Sequence, residues 1–284
     1  MLQTLLFGVV ALVIIAAVVI RLFCYRHWVR QRVLKRALPP HWRPLLTRQV
    51  PLYNHLPDPL KQRLERQVQL FMAEKTFFGC DGFEVTELAQ LTIAGHACLL
   101  TLGRHYGDYD HVRSILIYPG AYTVDEEVSD GLVVSRHQEV RSGQASDYGQ
   151  VILSWEDCEA TLAHPEADYN VILHEFAHQL DYQDGTPNGA PPLPTAAAAQ
   201  WQQVMSAAYA DLQATLHQPG HEPWLDPYGA TDPAEFFAVL TETFFQQPWQ
   251  LKAVQPAVYQ QLAAFYNLDP CQWLPPSPVS IASH

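Results

Sequence analysis

The alternation of apolar and polar positions divides the chain into a short N-terminal part and a long body. Leu5 to Ile20 reads LLFGVVALVIIAAVVI, apolar on every side of a helix. With its flanks it reaches about 20 residues, the length that spans a bilayer core at ~1.5 Å rise per residue. A cleaved signal peptide would need positive charge before the run and a small-x-small site after it. The chain begins MLQT and continues RLFCYRH, so a membrane-spanning helix over residues 1–23 is the expectation. Residues 24–57 are basic and then proline-rich, with five prolines between 37 and 57, and are expected to form an extended linker. Helical periodicity starts at Asp58-Pro59, runs to about Phe77, and resumes over Val85–Leu102. Short β-branched runs at Val112–Tyr118, Leu132–Ser135 and Gln150–Trp155 predict strands. Helical pattern returns over Asp168–Asp181, Thr195–His217, Asp232–Gln246 and Val254–Tyr266, with GTPNGAPPLP (185–194) as a loop. A few strands followed by several helices predict an α+β domain over 58–274, with a flexible Pro/Ser-rich tail over 275–284.

Charge sharpens the division. Residues 1–50 carry eight Lys/Arg and no acid, whereas residues 51–284 carry nine Lys/Arg against 29 Asp/Glu. The cations Arg21, Arg26, Arg30, Arg32, Lys35 and Arg36 follow the apolar run, and positive flanks stay on the cytoplasmic side. The expected placement is a single-pass protein of the bacterial inner membrane with its body in the cytoplasm. An acidic body argues against nucleic acid as a partner, because phosphate binding needs cations to displace counterions. The five cysteines are odd in number, widely spaced and lack CxxC, which reads as reduced thiols.

The chemistry is concentrated in VILHEFAHQLD (171–181). His174 and His178 are four apart, on one face of a helix, so both imidazoles can reach one tetrahedral Zn²⁺. Glu175 is rotated ~100° from the first of them. It can act on a metal-activated water as general base without taking a coordination position. Positions 171–173, 176–177 and 179–180 carry no charge. Such a helix is buried on every side but the metal face, where an exposed helix would show polar residues.

Asp181 and Asp184 stand where a metzincin would place Gly and His, which excludes that class. Between Asp184 and His217 the only acid is Asp211, so no glutamate stands at the short downstream distance used by thermolysin-like enzymes. The next good candidates for a third ligand lie in DPAEFFAVLTETFF, where Glu235 and Glu242 are seven apart and share a face. Glu235 has a second reading, as the N3 residue of a capping box opened by Asp232. Asp181 is either an acceptor behind a ligand imidazole or an ordinary helix-end carboxylate. Tyr228, on a Gly-containing turn seven residues before Glu235, either donates to an oxyanion or packs as a loop tyrosine on the core.

HEFAHQLD followed by YGATDPAEFFAV resembles the Mlc titration factor A family of bacterial zinc-dependent peptidases. LIYPGAYTVDEE, VRSGQAS before QVILSWEDC, and QLAAFYNLDP extend the resemblance over roughly residues 55–272. It implies a zincin-like core, related in architecture to the protease domain of anthrax lethal factor, and aminopeptidase-type activity on short peptides. By matching position it makes His174, His178 and Glu235 the metal ligands, Glu175 the base and Tyr228 an active-site tyrosine. The family has been assigned a further histidine in the strand before the SG motif. In this sequence His137 falls about two positions late and reads as a surface or substrate-cleft histidine. The family's best-known member is soluble and binds the glucose repressor Mlc. Hence two functions are expected from different classes: a membrane-anchored zinc metallopeptidase, or a membrane-tethered binding protein that sequesters a transcriptional repressor, with zinc mainly structural. A catalytic site keeps a coordination position open, and a structural one closes it with a fourth protein ligand.

Overall fold

The apolar run and the basic segment behind it form one uninterrupted helix, α1 (Leu2–Leu34), in the computed structural model. The structure describes residues 2–120, 122–129, 134–141, 143–146, 149–164, 169–218, 220 and 222–276. It divides into two compact units, Met1–Pro40 and His41–His284. In the first unit, α1 is the one helix among the described residues that is long and apolar enough to cross a membrane. Helix formation does not stop at Arg21, because the segment to Leu34 has no Gly or Pro and carries the good helix formers Leu, Arg and Gln. The Arg32 guanidinium lies over the Trp28 ring at 4.0 Å.

In the second unit, residues 42–55 are helical and not an extended linker. They form α2 (Trp42–Gln49) and α3 (Pro51–His55). Pro44 and Pro51 sit in first turns, where the missing N–H has no intrahelical partner to lose. Trp42, Leu46, Val50, Tyr53 and Leu56 recur at helical spacing and are all buried. Gly95 makes this possible: a Cβ there would lie 2.5 Å from Val50 Cγ2. Arg43 donates twice to the buried Glu65 carboxylate, at 2.9 and 3.0 Å, and the Tyr53 hydroxyl donates to it at 2.7 Å.

Glu65 belongs to α4 (Asp58–Glu74), which ends before Phe77. Residues 76–79 are claimed instead by strand β1 (Thr76–Gly79). Helix α5 (Glu87–Leu100), capped by Thr86, is buried along nearly all its length. Strands β2 (Ser114–Tyr118), β3 (Tyr122–Ser129), β4 (Val134–Arg141), β5 (Gly143–Ser146) and β6 (Gln150–Ser154) follow. The main sheet has the order β1-β2-β6-β5, parallel except for the antiparallel β5. Ile115 and Ile117 of β2 and Val151 and Leu153 of β6 bury one face. β3 and β4 form a separate antiparallel ribbon in which His137 pairs with Glu126. The expected strand Leu132–Ser135 falls partly outside the described residues, and β4 starts at Val134.

Helix α6 (Trp155–Ala163) precedes α7 (Val171–Asp181), which packs against α5, β5 and β6. Then come α8 (Thr195–Leu216), α9 (Pro233–Gln246), α10 (Pro248–Val254) and α11 (Pro256–Tyr266). Residues 185–194 form a loop, and 277–284 lie outside the described residues. Phe237, Phe244 and Phe245 of α9 interlock with Phe265 and Tyr266 of α11 through one stacked and two edge-to-face contacts at 5.1–5.7 Å. Cys80, Cys98, Cys158 and Cys271 are free, as the spacing predicted.

His96, in the buried α5, has its Nδ1 2.9 Å from the Thr92 carbonyl. Burial disfavours its charged form and holds its pKa down at about 4, against 6.5 in the unfolded chain. The unfolded state therefore binds the proton first, and stability falls as pH drops from about 6.5 towards 4. Urea unfolding at pH 7 and pH 5 is expected to show His96→Leu losing about 2 kcal/mol less than the unmodified protein. Equal losses in the two proteins would show that His96 does not carry this acid sensitivity.

Candidate metal centre

Helix α7 begins at Asn170, whose Oδ1 accepts the Leu173 amide at 3.0 Å. All eleven of its residues are buried, so its polar side chains cannot be paired by solvent. His174 and His178 project from one face, with rings edge-to-face at 4.8 Å and Nε2 atoms 3.2 Å apart. The third group comes from α9. Asp232 caps that helix, accepting the Ala234 and Glu235 amides at 2.8 and 3.0 Å, and Pro233 occupies its first turn. The Glu235 side chain points at the histidines: Oε2 stands 2.9 Å from His174 Nε2 and 3.5 Å from His178 Nε2. Asp232 thus supplies the cap, leaving the Glu235 carboxylate to the two imidazoles.

Glu242, the alternative from the same face, has another position. It is two turns further along α9 and buried, and its Oε1 lies 2.8 Å from His174 Nδ1, on the opposite edge of the ring. Its Oε2 accepts the Asn170 amide. One carboxylate thus holds both the start of α7 and the imidazole one turn later. A carboxylate at Nδ1 fixes the proton there, which turns the Nε2 lone pair towards Glu235 and His178.

Two imidazole nitrogens and a carboxylate oxygen, each able to offer a lone pair, therefore converge in the only group of this kind among the described residues. Atoms bound to one tetrahedral zinc at ~2.0–2.1 Å are about 3.3 Å from each other. The observed separations of 2.9, 3.2 and 3.5 Å bracket that value. Without a cation the lone pairs repel, or a proton must be shared among them. Burial opposes charge on His174, yet the hydrogen bonds its ring donates to the Glu235 and Glu242 carboxylates outweigh it and carry its pKa well above 6.5. Burial likewise opposes the Glu235 carboxylate, but the two histidines hold it far below the usual carboxylate range. A divalent cation would satisfy all three atoms at once, and the residues present fit zinc.

Glu175 lies beside this group. Its side chain is buried, and its Oε2 has no hydrogen-bond partner among the described residues. Burial pushes the carboxyl above its ordinary value, against the pull of His174 and His178. Tyr228 stands at the rim, on a turn (Pro227–Ala230) in which Asp226 accepts its amide at 2.7 Å. It is 54% exposed with its ring 5.9 Å from that of His174, which rules out a core-packed tyrosine. Partial burial and the nearby Glu235 charge push its phenol up to about 12, so it remains a proton donor at neutral pH.

Of the residues singled out by sequence, His174, Glu175, His178, Glu235, Glu242 and Tyr228 come together. His137 is placed on β4, and its side chain lies outside the described residues. Asp181 is fully buried, which removes the solvated helix-end reading, and its Oδ2 accepts the Gly189 amide at 2.7 Å. Asn170 was not anticipated, although an Asn just before VILHE is an N-cap signal.

Two imidazoles and a glutamate presented by neighbouring helices, with a second glutamate beside them, define a metallopeptidase type of centre. The sequence pattern of the family described as glucose-regulated metallo-peptidase M90 matches residues 25–267. The chain is 39% identical over 267 residues to an uncharacterized protein of Synechocystis sp., covering 92% of this chain and 97% of that one. It is 35% identical over 226 residues to Mlc titration factor A of Klebsiella pneumoniae strain 342, covering 78% and 84%. With Mlc titration factor A of Escherichia coli O1:K1 / APEC the identity is 33% over 251 residues, covering 87% and 92%. The chain belongs to this metallopeptidase family, the one that includes Mlc titration factor A.

Glu242→Gln is expected to weaken zinc binding about 10- to 100-fold, since the imidazole loses the charged group that fixes its proton and orientation. Competition with a chromogenic chelator measures this. Unchanged affinity would show that Glu242 does not prepare His174 for the metal.

Proposed function

We propose that this protein is a zinc-dependent peptidase of the aminopeptidase type, anchored in the bacterial inner membrane by α1 with its body in the cytoplasm. The zincin-like reading and the exopeptidase preference come from the family resemblance. The anchor reading rests on α1, whose Leu12, Ile14, Ile15 and Val19 are exposed, an arrangement that suits lipid and is costly in water. The cations after the apolar run favour the cytoplasmic orientation.

One observation carries the catalytic reading: a buried Glu175 oxygen with no partner among the described residues lies beside three converging ligand atoms. A purely structural metal site has no use for Glu175, and an unpaired buried carboxylate is costly to keep. His174, His178 and Glu235 would hold zinc. When bound, zinc would polarise the scissile carbonyl and acidify the attacking water. Glu175 would take the water's proton on its carboxylate and pass it to the nitrogen of the leaving amine. The Tyr228 hydroxyl would donate to the oxygen that gains negative charge. Glu242 would keep the His174 proton on Nδ1 throughout, so that Nε2 stays available.

A second reading is favoured by the names of the Mlc titration factor A relatives. In it the body sequesters a transcriptional repressor at the membrane, and zinc is mainly structural. The two readings separate on Glu175. Glu175→Gln is expected to keep its fold and zinc while peptide hydrolysis falls by about 10³-fold, the middle of the range for loss of a general base. Turnover at the unmodified rate would refute the assigned base. Tyr228→Phe is expected to lower kcat about 10²-fold with KM little changed. An unchanged kcat would remove the tyrosine from the reaction.

A further inference from the structure

The loop between α7 and α8 is fastened to three helices through one residue, Gly189. Its amide donates to Asp181 Oδ2 at 2.7 Å, one turn beyond His178 on α7. Its carbonyl accepts the Trp201 indole N–H of α8 at 3.3 Å. Its α-carbon rests on the first turn of α9, where a Cβ would lie 2.1 Å from the Pro233 carbonyl oxygen and 2.7 Å from its carbon. Its φ of +74° lies in the left-handed region that favours glycine. Asn188 shapes the approach by accepting the Ala190 amide at 2.9 Å. Asp181 is fully buried and Trp201 nearly so, so both anchors are rigid. Pro233 lies two residues before Glu235, in the same helical turn.

We infer that Gly189, held by Asp181, is a spacer that sets the first turn of α9 against α7 and thereby positions Glu235 for the metal. His174 and His178 share one helix, so their spacing is intrinsic. Glu235 arrives from another helix, α9, which packs directly on α7 and is tied to it by Glu242. Its distance is therefore set by the contacts between the two helices, and Gly189 stands at the turn that carries Glu235. Coordination tolerates only ~0.2 Å, so contact at a backbone with no side chain is a suitable gauge. The spacer contributes no atom to the site; Asp181 and Gly189 act through Glu235. This inference rests on the zinc reading proposed above.

The test is a double-mutant cycle on zinc affinity, using the full chain in detergent and a competing chelator, with folding followed by circular dichroism. Gly189→Ala is expected to weaken zinc binding about 10- to 100-fold, and Asp181→Asn several-fold, in folded protein. In a Glu235→Gln background both effects should shrink to less than twofold, because the group being positioned is gone. Weakening of equal size in both backgrounds, or none in either, would overturn the spacer role. Asp181→Asn, a near-isosteric change, decides the matter if Gly189→Ala does not fold. Failure of the folded, unmodified protein to bind zinc would instead overturn the metal reading itself.

Discussion

Three atoms that all carry lone pairs, His174 Nε2, His178 Nε2 and Glu235 Oε2, are held within 3.5 Å of one another inside protein. Water would dilute that repulsion, but burial prevents it. Without a cation, a proton on His174 must bridge to Glu235 while Glu242 holds the other edge of the ring, which is what carries the His174 pKa well above 6.5. A divalent cation would satisfy all three atoms at once in place of that proton. The chain sustains it by packing: α7 is buried along its whole length, and α9 is fixed by an aromatic cluster shared with α11. Glu242 ties the two together, since it grips Asn170 and His174 at once.

The parts of this centre that were readable in the sequence are those set by local periodicity. HExxH fixes two imidazoles and a glutamate relative to each other because all three are on one helix. The seven-residue spacing of Glu235 and Glu242 put both on one face, and the capping pattern located the start of α9. Periodicity could not tell which carboxylate meets Nε2 and which meets Nδ1, because that depends on how far α9 slides along α7. The same limit applies to Asp181, whose partner lies eight residues away across a loop.

The fold was legible where propensity and burial agree, as in α5, α7, α8 and α9. It was misread where tertiary contacts decide. The proline-rich stretch after residue 37 suggested extended chain, yet Leu46 and Val50 find a close approach at Gly95, and Arg43 and Tyr53 find Glu65. Phe77 looked like the last turn of α4 and was taken by parallel pairing with Ile115. The short strands β1 and β5 carry too little local signal to be seen without their partners. The basic segment behind the apolar run continues α1, because nothing in it breaks a helix before residue 34.

X-ray absorption at the zinc edge, on the full-length protein loaded with one equivalent of metal, tests the account most directly. The expected spectrum shows two imidazole nitrogens at about 2.0–2.1 Å, a carboxylate oxygen at similar distance and one further light scatterer, with no sulfur. A sulfur shell at about 2.3 Å, or a folded protein that takes up no zinc, would contradict it.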